Sequence, residues 1–196
     1  MERSELTELH YITPIDNVPS IVKHGILSNH GCKTHKHLSV AMSEIQDKRA
    51  RIRVPGGKPL HEYVNLYICA RNPMLFKRKD VHEDLCVLRV SPDVLDLPDV
   101  VVSDSNAVSE YARFASAPKG LVIVDKELTF AEYWTDPDPI QKFRKAAKKC
   151  AEVLVPDRVS PRFLLGAYLS CNSSLEKFQT LQCGLKCDKN SHFFFR

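Results

Sequence analysis

Seven short apolar runs of β type lie along the chain at uneven intervals, and helices do not alternate with them in any regular way. They are "LHYIT" (9–13), "YVNLYICA" (63–70), "LCVLRV" (85–90), "VVVS" (100–103), "LVIVD" (121–125), "AEVLVP" (151–156) and "FLLGAYLSC" (163–171). Each is rich in β-branched, aromatic or leucine residues and stops at turn-forming residues. Helical patterns fall between only some of them. Asp16 or Asn17 is placed to cap a helix over "VPSIVKHGIL" (18–27), with Pro19 in its first turn, Gly25 ending it, and Val18, Ile21 and Val22 on its buried side. "SEIQDKRARI" (43–52) reads as a short polar helix, "ELTFAEYW" (127–134) as another, and a basic helix follows over about 140–149. Ser173 to Glu176 has the spacing of a capping box, opening a last helix with Leu175, Phe178 and Leu181 on one face. Such a mixture implies an α+β fold rather than a doubly wound parallel sheet.

The chain is 196 residues long, which fits one domain over 1–196. A chain of this length buries roughly 70% of its unfolded surface. Its net charge of +4 is mild, so a case for nucleic acid needs a local basic patch. One exists. In "KFRKAAKKCAEVLVPDRV" (142–159), Lys142, Arg144, Lys145, Lys148 and Lys149 fall within eight positions, and then a lone acid, Glu152, opens an apolar strand. By position alone, that acid is an edge-strand charge and the lysines a solvated helix face. No run approaches the ~18 apolar residues of a membrane span, and "MERSELTELH" lacks a signal-peptide pattern. The expected location is the cytoplasm, with the seven cysteines reduced.

Several chemistries lack their signatures. With seven glycines there is no G-x-G-x-x-G, no G-x-x-x-x-G-K-[ST] and no G-x-S-x-G, and Gly56-Gly57 reads as a turn. A dinucleotide bound here would not use a Rossmann or P-loop cradle. His30, Cys32, His35 and His37 crowd one loop but match no zinc spacing, and neither do Cys183 and Cys187, so no metal is expected.

Five pieces stand in a fixed order: "LHYITPIDNVPSIVKHGIL", "SEIQDKRARIRVP", "LHEYVNLYICARNPML", "SDSNAV" and "CAEVLVPDRV". Together, over about residues 7 to 170, they resemble the DarT family, toxins of DarTG toxin–antitoxin systems that ADP-ribosylate DNA bases. The resemblance implies an ADP-ribosyltransferase fold, two small, roughly perpendicular sheets with NAD⁺ in the cleft between them and helices at the periphery. It implies NAD⁺ as co-substrate, single-stranded DNA as acceptor, and an antitoxin partner of macrodomain type or a similar ADP-ribosyl hydrolase.

Residue by residue, Glu152 matches the family's catalytic glutamate and Arg49 its catalytic arginine, while Arg51 and Arg53 fall outside that role. Tyr11 and Thr13 stand where the family holds the nicotinamide end of NAD⁺. Many members have a histidine at the place of Tyr11, so His10 either stands in for it or is a strand residue with no ligand. Asn17 either reaches the cofactor or only caps its helix. Arg71 and Met74 of "RNPML" match the segment lining the target-base pocket, and Asn106 of "SDSNA" matches a polar residue near that base. Lys145, Lys148 and Lys149, with Lys142 and Arg144, become the expected track for a nucleic-acid backbone. "YVNLYICARNPM" differs from the "YVPFYF…RSPM" type of the thymidine-modifying branch by Asn65 and Asn72, which favours guanine, with thymine next. The competing readings are a transferase acting on RNA or protein, an NAD⁺ glycohydrolase, and a non-catalytic nucleic-acid-binding module.

Overall fold

The structure is a computed structural model and describes residues 1–34, 37–39 and 42–195. Its strands are β1 (Leu9–Pro14), β2 (Ile26–Leu27), β3 (Tyr63–Tyr67), β4 (Leu85–Val90), β5 (Val101–Ser103), β6 (Phe114–Ser116), β7 (Glu152–Pro156), β8 (Arg158–Val159), β9 (Leu164–Leu169) and β10 (Cys187–Lys189). The helices are α1 (Val18–His24), α2 (Ser43–Arg51), α3 (Pro73–Phe76), α4 (Lys126–Phe130), α5 (Pro139–Lys149) and α6 (Asn172–Thr180). Eight strands form one sheet in the order β10-β9-β4-β1-β3-β7-β5-β6, and β2 pairs with β8 apart from it.

The two sheets implied by the family resemblance are present as two halves of this one. β1 pairs with β4 along its whole length, and β3 with β7 along its whole length, but β1 meets β3 only at His10↔Tyr67. Apolar residues on the inner faces explain the strength of each half. Leu9, Leu66, Cys86, Leu88, Val90, Val102, Val153 and Val155 share one core with Val18 and Ile21 of α1 and Phe178 of α6. At roughly 25 cal/mol per Å² of apolar surface, that shared burial is the main stabilising term. The opposite faces carry two smaller apolar clusters, one with Ile12, Tyr67, Leu85 and Val87 and one with Tyr63 and Leu154.

Local departures from the sequence reading have local causes. "LVIVD" is not a strand. Lys119–Ile123 is a 3-10 turn in which Leu121 is buried and Val122 is 72% exposed, and Gly120 lies so close to Ala115 that an added Cβ would sit 2.6 Å from its carbonyl oxygen. β3 ends at Tyr67 because the chain turns at Cys69, whose carbonyl accepts from the Asn72 amide 2.9 Å away. α4 stops at Phe130, short of Trp134. α6 opens two residues earlier than expected, on a box made by Cys171 and Ser174. α1 ends at Gly25, where φ is +84° and a Cβ would meet the Val159 carbonyl oxygen at 2.3 Å, so only glycine fits. Among the described residues no helix is long and apolar enough to cross a membrane.

Candidate active site

Glu152 is the first residue of β7, between Tyr67 of β3 and Ser103 of β5 in the sheet register, and it is fully buried. A buried carboxylate needs partners. Arg49, in the last turn of α2, supplies them: its Nη1 donates to Glu152 Oε2 at 3.1 Å and to Oε1 at 3.4 Å. The Ala107 amide donates to Oε1 at 3.4 Å. Arg49 is itself only 6% exposed, and its Nη2 is buried with no partner among the described residues. A buried donor left unpaired costs about 1–3 kcal/mol, so Nη2 is open to a ligand acceptor, as are buried ring or guanidinium nitrogens of His10, His61 and Arg71 elsewhere.

The pair lies on the wall of a cleft of about 270 Å³. Tyr11 and Thr13 line it from β1, and Tyr63, Asn65 and Tyr67 from β3, so it opens where those strands stop pairing. Alternation along β3 puts these three side chains on the face opposite the Leu66 core. Burial, with the charge of Glu152 adding to it, pushes the Tyr67 phenol well above its ordinary range. Burial pushes Tyr11 up to about 12. Both phenols therefore remain hydrogen-bond donors near neutral pH. Burial, followed by the Glu152 charge, raises the Cys150 thiol to about 12, so this cleft cysteine stays a protonated, weak nucleophile.

Asn17 lines the cleft too, but its side chain does not cap α1. Its Nδ2 donates to the Leu38 carbonyl at 2.8 Å and to Thr13 Oγ1 at 3.2 Å, and its Oδ1 accepts from the Leu38 amide at 2.9 Å. It pins residues 37–39 against the strand that carries Thr13. Met74 and Asn106 line the same cleft. Asn106 sits beside the Ala107 amide that touches Glu152, and its own amide donates to the Ala147 carbonyl of α5 at 2.9 Å.

Other expected residues lie elsewhere. His10 does not line the cleft. Its Nε2 is 3.1 Å from Glu8 Oε1, and its ring packs edge-on to Phe193 at 5.3 Å. Strand alternation turns it away from Tyr11, which corrects the idea that it stands in for a cofactor-binding histidine. Arg71 also turns away, donating to the His192 carbonyl at 2.6 Å with its guanidinium 4.2 Å above the Phe195 ring. Asn72 is fully buried and caps α3, its Oδ1 accepting from the Met74 and Leu75 amides at 3.0 and 3.1 Å, so it cannot read a base.

The basic run is corrected most. Lys149 is 1% exposed, its ammonium donating to the Thr129 carbonyl at 2.9 Å and to Cys69 Sγ at 3.3 Å. Lys148 is 2.5 Å from the buried Asp104 carboxylate, and Lys145 is 2.7 Å from Asp136. Lys142 and Arg144 alone of the five are fully on the surface. Helical periodicity turns the other three toward α4 and the β5 loop. In the 30–37 loop, Cys32 Sγ is 3.6 Å from His37 Nε2, and His35 lies outside the described residues. Among the described residues no three metal-ligating side chains gather. The Ala107 amide and the phenol of Tyr67 were not anticipated. Tyr67 could have been found from the period-2 pattern that places it with Asn65, whereas a backbone amide has no sequence signal.

The family model described as "ssDNA thymidine ADP-ribosyltransferase, DarT" matches residues 10–193. A DNA ADP-ribosyl transferase from Thermus sp. is 33% identical over 162 residues, 77% of this chain and 75% of that protein. A DNA ADP-ribosyl transferase–DNA ADP-ribosyl glycohydrolase fusion protein from Thermosipho africanus is 33% identical over 175 residues, 83% of this chain. This chain spans only 42% of the fusion's length. Among solved structures, Thermus sp. 2.9 DarT in complex with ADP-ribosylated ssDNA superposes with a TM-score of 0.82 at 26% identity, covering 97% of each chain. The same protein in complex with carba-NAD⁺ gives 0.80 at 25% identity, covering 97% of this chain and 99% of that one. The matched span runs from β1 into the C-terminal tail, and on it the chain belongs to the DarT family.

Proposed function

We propose that the chain transfers ADP-ribose from NAD⁺ to a base of single-stranded DNA, with Glu152 and Arg49 as its central pair. The observation that carries this reading is the buried, unpaired Nη2 of Arg49 beside a fully buried Glu152. It supplies the donor that an NAD⁺ diphosphate needs. NAD⁺ brings the ADP-ribosyl group and a nicotinamide leaving group. Arg49 Nη2 donates to a diphosphate oxygen, while Nη1 keeps the Glu152 carboxylate in place. Glu152 opposes the positive charge that develops on the ribose. As the ribose–nicotinamide bond breaks and the ribose–base bond forms, the same carboxylate accepts the proton lost by the base nitrogen.

With Asn72 removed from the argument, guanine rests on Asn65 alone, which lines the cleft and offers an amide to a base edge. Thymidine is the base in the matching family description. Oligonucleotides of each base composition, reacted with NAD⁺ and digested to nucleosides, are expected to yield modified guanosine. Modification of thymidine alone would overturn that preference and leave the transferase reading intact. The family and the glycohydrolase half of the Thermosipho africanus fusion support a toxin role, which we assign to one cytoplasmic domain over 1–196. They also support an antitoxin of macrodomain type or a similar hydrolase that strips ADP-ribose from DNA.

A further inference from the structure

Next to the cleft, on the other side of α3, lies a face that the chemistry above does not use. Phe76, Trp134 and Phe195 meet edge to face in all three pairs, with centroids 5.1, 5.7 and 5.8 Å apart. Phe76 is nevertheless 44% exposed, and Tyr133, beside Trp134 in sequence, is 66% exposed. Cations surround these rings. Arg71 stacks on Phe195 at 4.2 Å, and Lys79 lies 6.0 Å from the Phe76 centroid. Lys77, one residue on from Phe76, lines the cleft itself. A second cavity opens at this place, and its lining contains no acidic residue.

The face is also held rigid. Phe194 is 3% exposed and sits in a cluster with Ile12, Tyr67, Leu75 and Cys150 directly behind the cleft. That anchor fixes the tail, and therefore Phe195, before any ligand arrives.

We propose that this aromatic and cationic face is a binding subsite for the DNA strand flanking the target nucleotide, with bases stacking on Phe76 and Trp134 and phosphates near Arg71 and Lys79. Partly exposed rings beside cations suit single-stranded nucleic acid, because every base has a π-face and every linkage a negative charge. This route replaces α5, where Lys145 and Lys148 are paired with Asp136 and Asp104 and Lys149 is buried. It rests on the reading of DNA as acceptor.

Trp134 is the only tryptophan in the chain, so its fluorescence reports on this face alone. The protein without NAD⁺ is titrated with oligodeoxynucleotides, following tryptophan emission together with the anisotropy of a labelled oligonucleotide. Saturable quenching is expected, tracking the anisotropy. Phe76→Ala and, separately, Lys79→Ala are expected to weaken binding by roughly tenfold for a long oligonucleotide and little for a dinucleotide. Both side chains are partly or fully exposed, so neither change removes core packing. Binding by anisotropy without quenching, and with both variants unaffected, would overturn the subsite while sparing the DNA reading. Failure of any DNA to bind would overturn both. Emission that changes with protein concentration and ignores DNA would mark the face as a contact between copies and overturn the subsite.

Discussion

Glu152 and Arg49 satisfy each other, and each is left with capacity to spare. The carboxylate accepts from Arg49 and the Ala107 amide, yet it faces a cleft, and the arginine keeps one nitrogen unpaired. Glu8 is a carboxylate held from several sides, although Nδ1 of its partner His10 is also buried with no partner among the described residues. Burial pushes the Glu8 carboxyl up, but hydrogen bonds from His10, Arg89 and Tyr168 outweigh it and hold the group at about 2, below the ordinary 4.5. A lowered carboxyl stabilises the fold while ionised, so its contribution is present above about 4.5 and is lost as pH falls toward about 2. Melting temperatures of the wild type and Glu8→Gln, compared across that acid window, are expected to converge. A gap that stays constant with pH would mean that Glu8 does not supply it.

At the scale of elements, β7, α5 and the loop after β5 act together. Asp104 is fully buried and accepts from Arg113 Nε at 2.7 Å, the Arg113 amide at 3.0 Å and Lys148 at 2.5 Å. That clamp ties the loop carrying Asn106 and Ala107 to α5. Asp104→Asn should cost about 1–3 kcal/mol of stability, because its cations are partly exposed and screened. It should also slow transfer at saturating NAD⁺, since the Ala107 amide loses its fixed position on Glu152. Unchanged turnover, measured below the melting point, would show that the loop does not position the acid. Lys149→Ala is expected to lose roughly 2–4 kcal/mol, as for other large buried side chains, and to leave the salt dependence of DNA binding untouched. A flatter salt response with normal stability would restore Lys149 to the DNA track. The sequence made α5 legible as a helix because its charges, Pro139 and the Asp138 cap are local signals. It did not show which way the lysines point, because Thr129, Asp104 and Asp136 lie on other segments. "LVIVD" failed for a related reason: an apolar run is a strand only if an edge is free to pair with it, and Gly120 folds it back against β6 instead.

For the whole molecule, the sheet is two halves that share a single residue pair, and the cleft lies at that seam. Sequence order was enough to place Glu152, Arg49, Thr13 and Met74 around one cleft, since each belongs to a motif with a fixed position in the family pattern. It misplaced Arg71 because that side chain is captured by the C-terminal tail, through His192 and Phe195. Contacts made across such a distance leave no local trace. The central claim is that the buried pair moves ADP-ribose onto DNA. A single-stranded oligonucleotide incubated with NAD⁺ and either wild-type protein or Glu152→Gln, then weighed by mass spectrometry, tests it directly. An ADP-ribosyl adduct is expected with the wild type, reduced by about 10²-fold or more with the variant. NAD⁺ consumed without any adduct, or equal adduct from both proteins, would contradict the account.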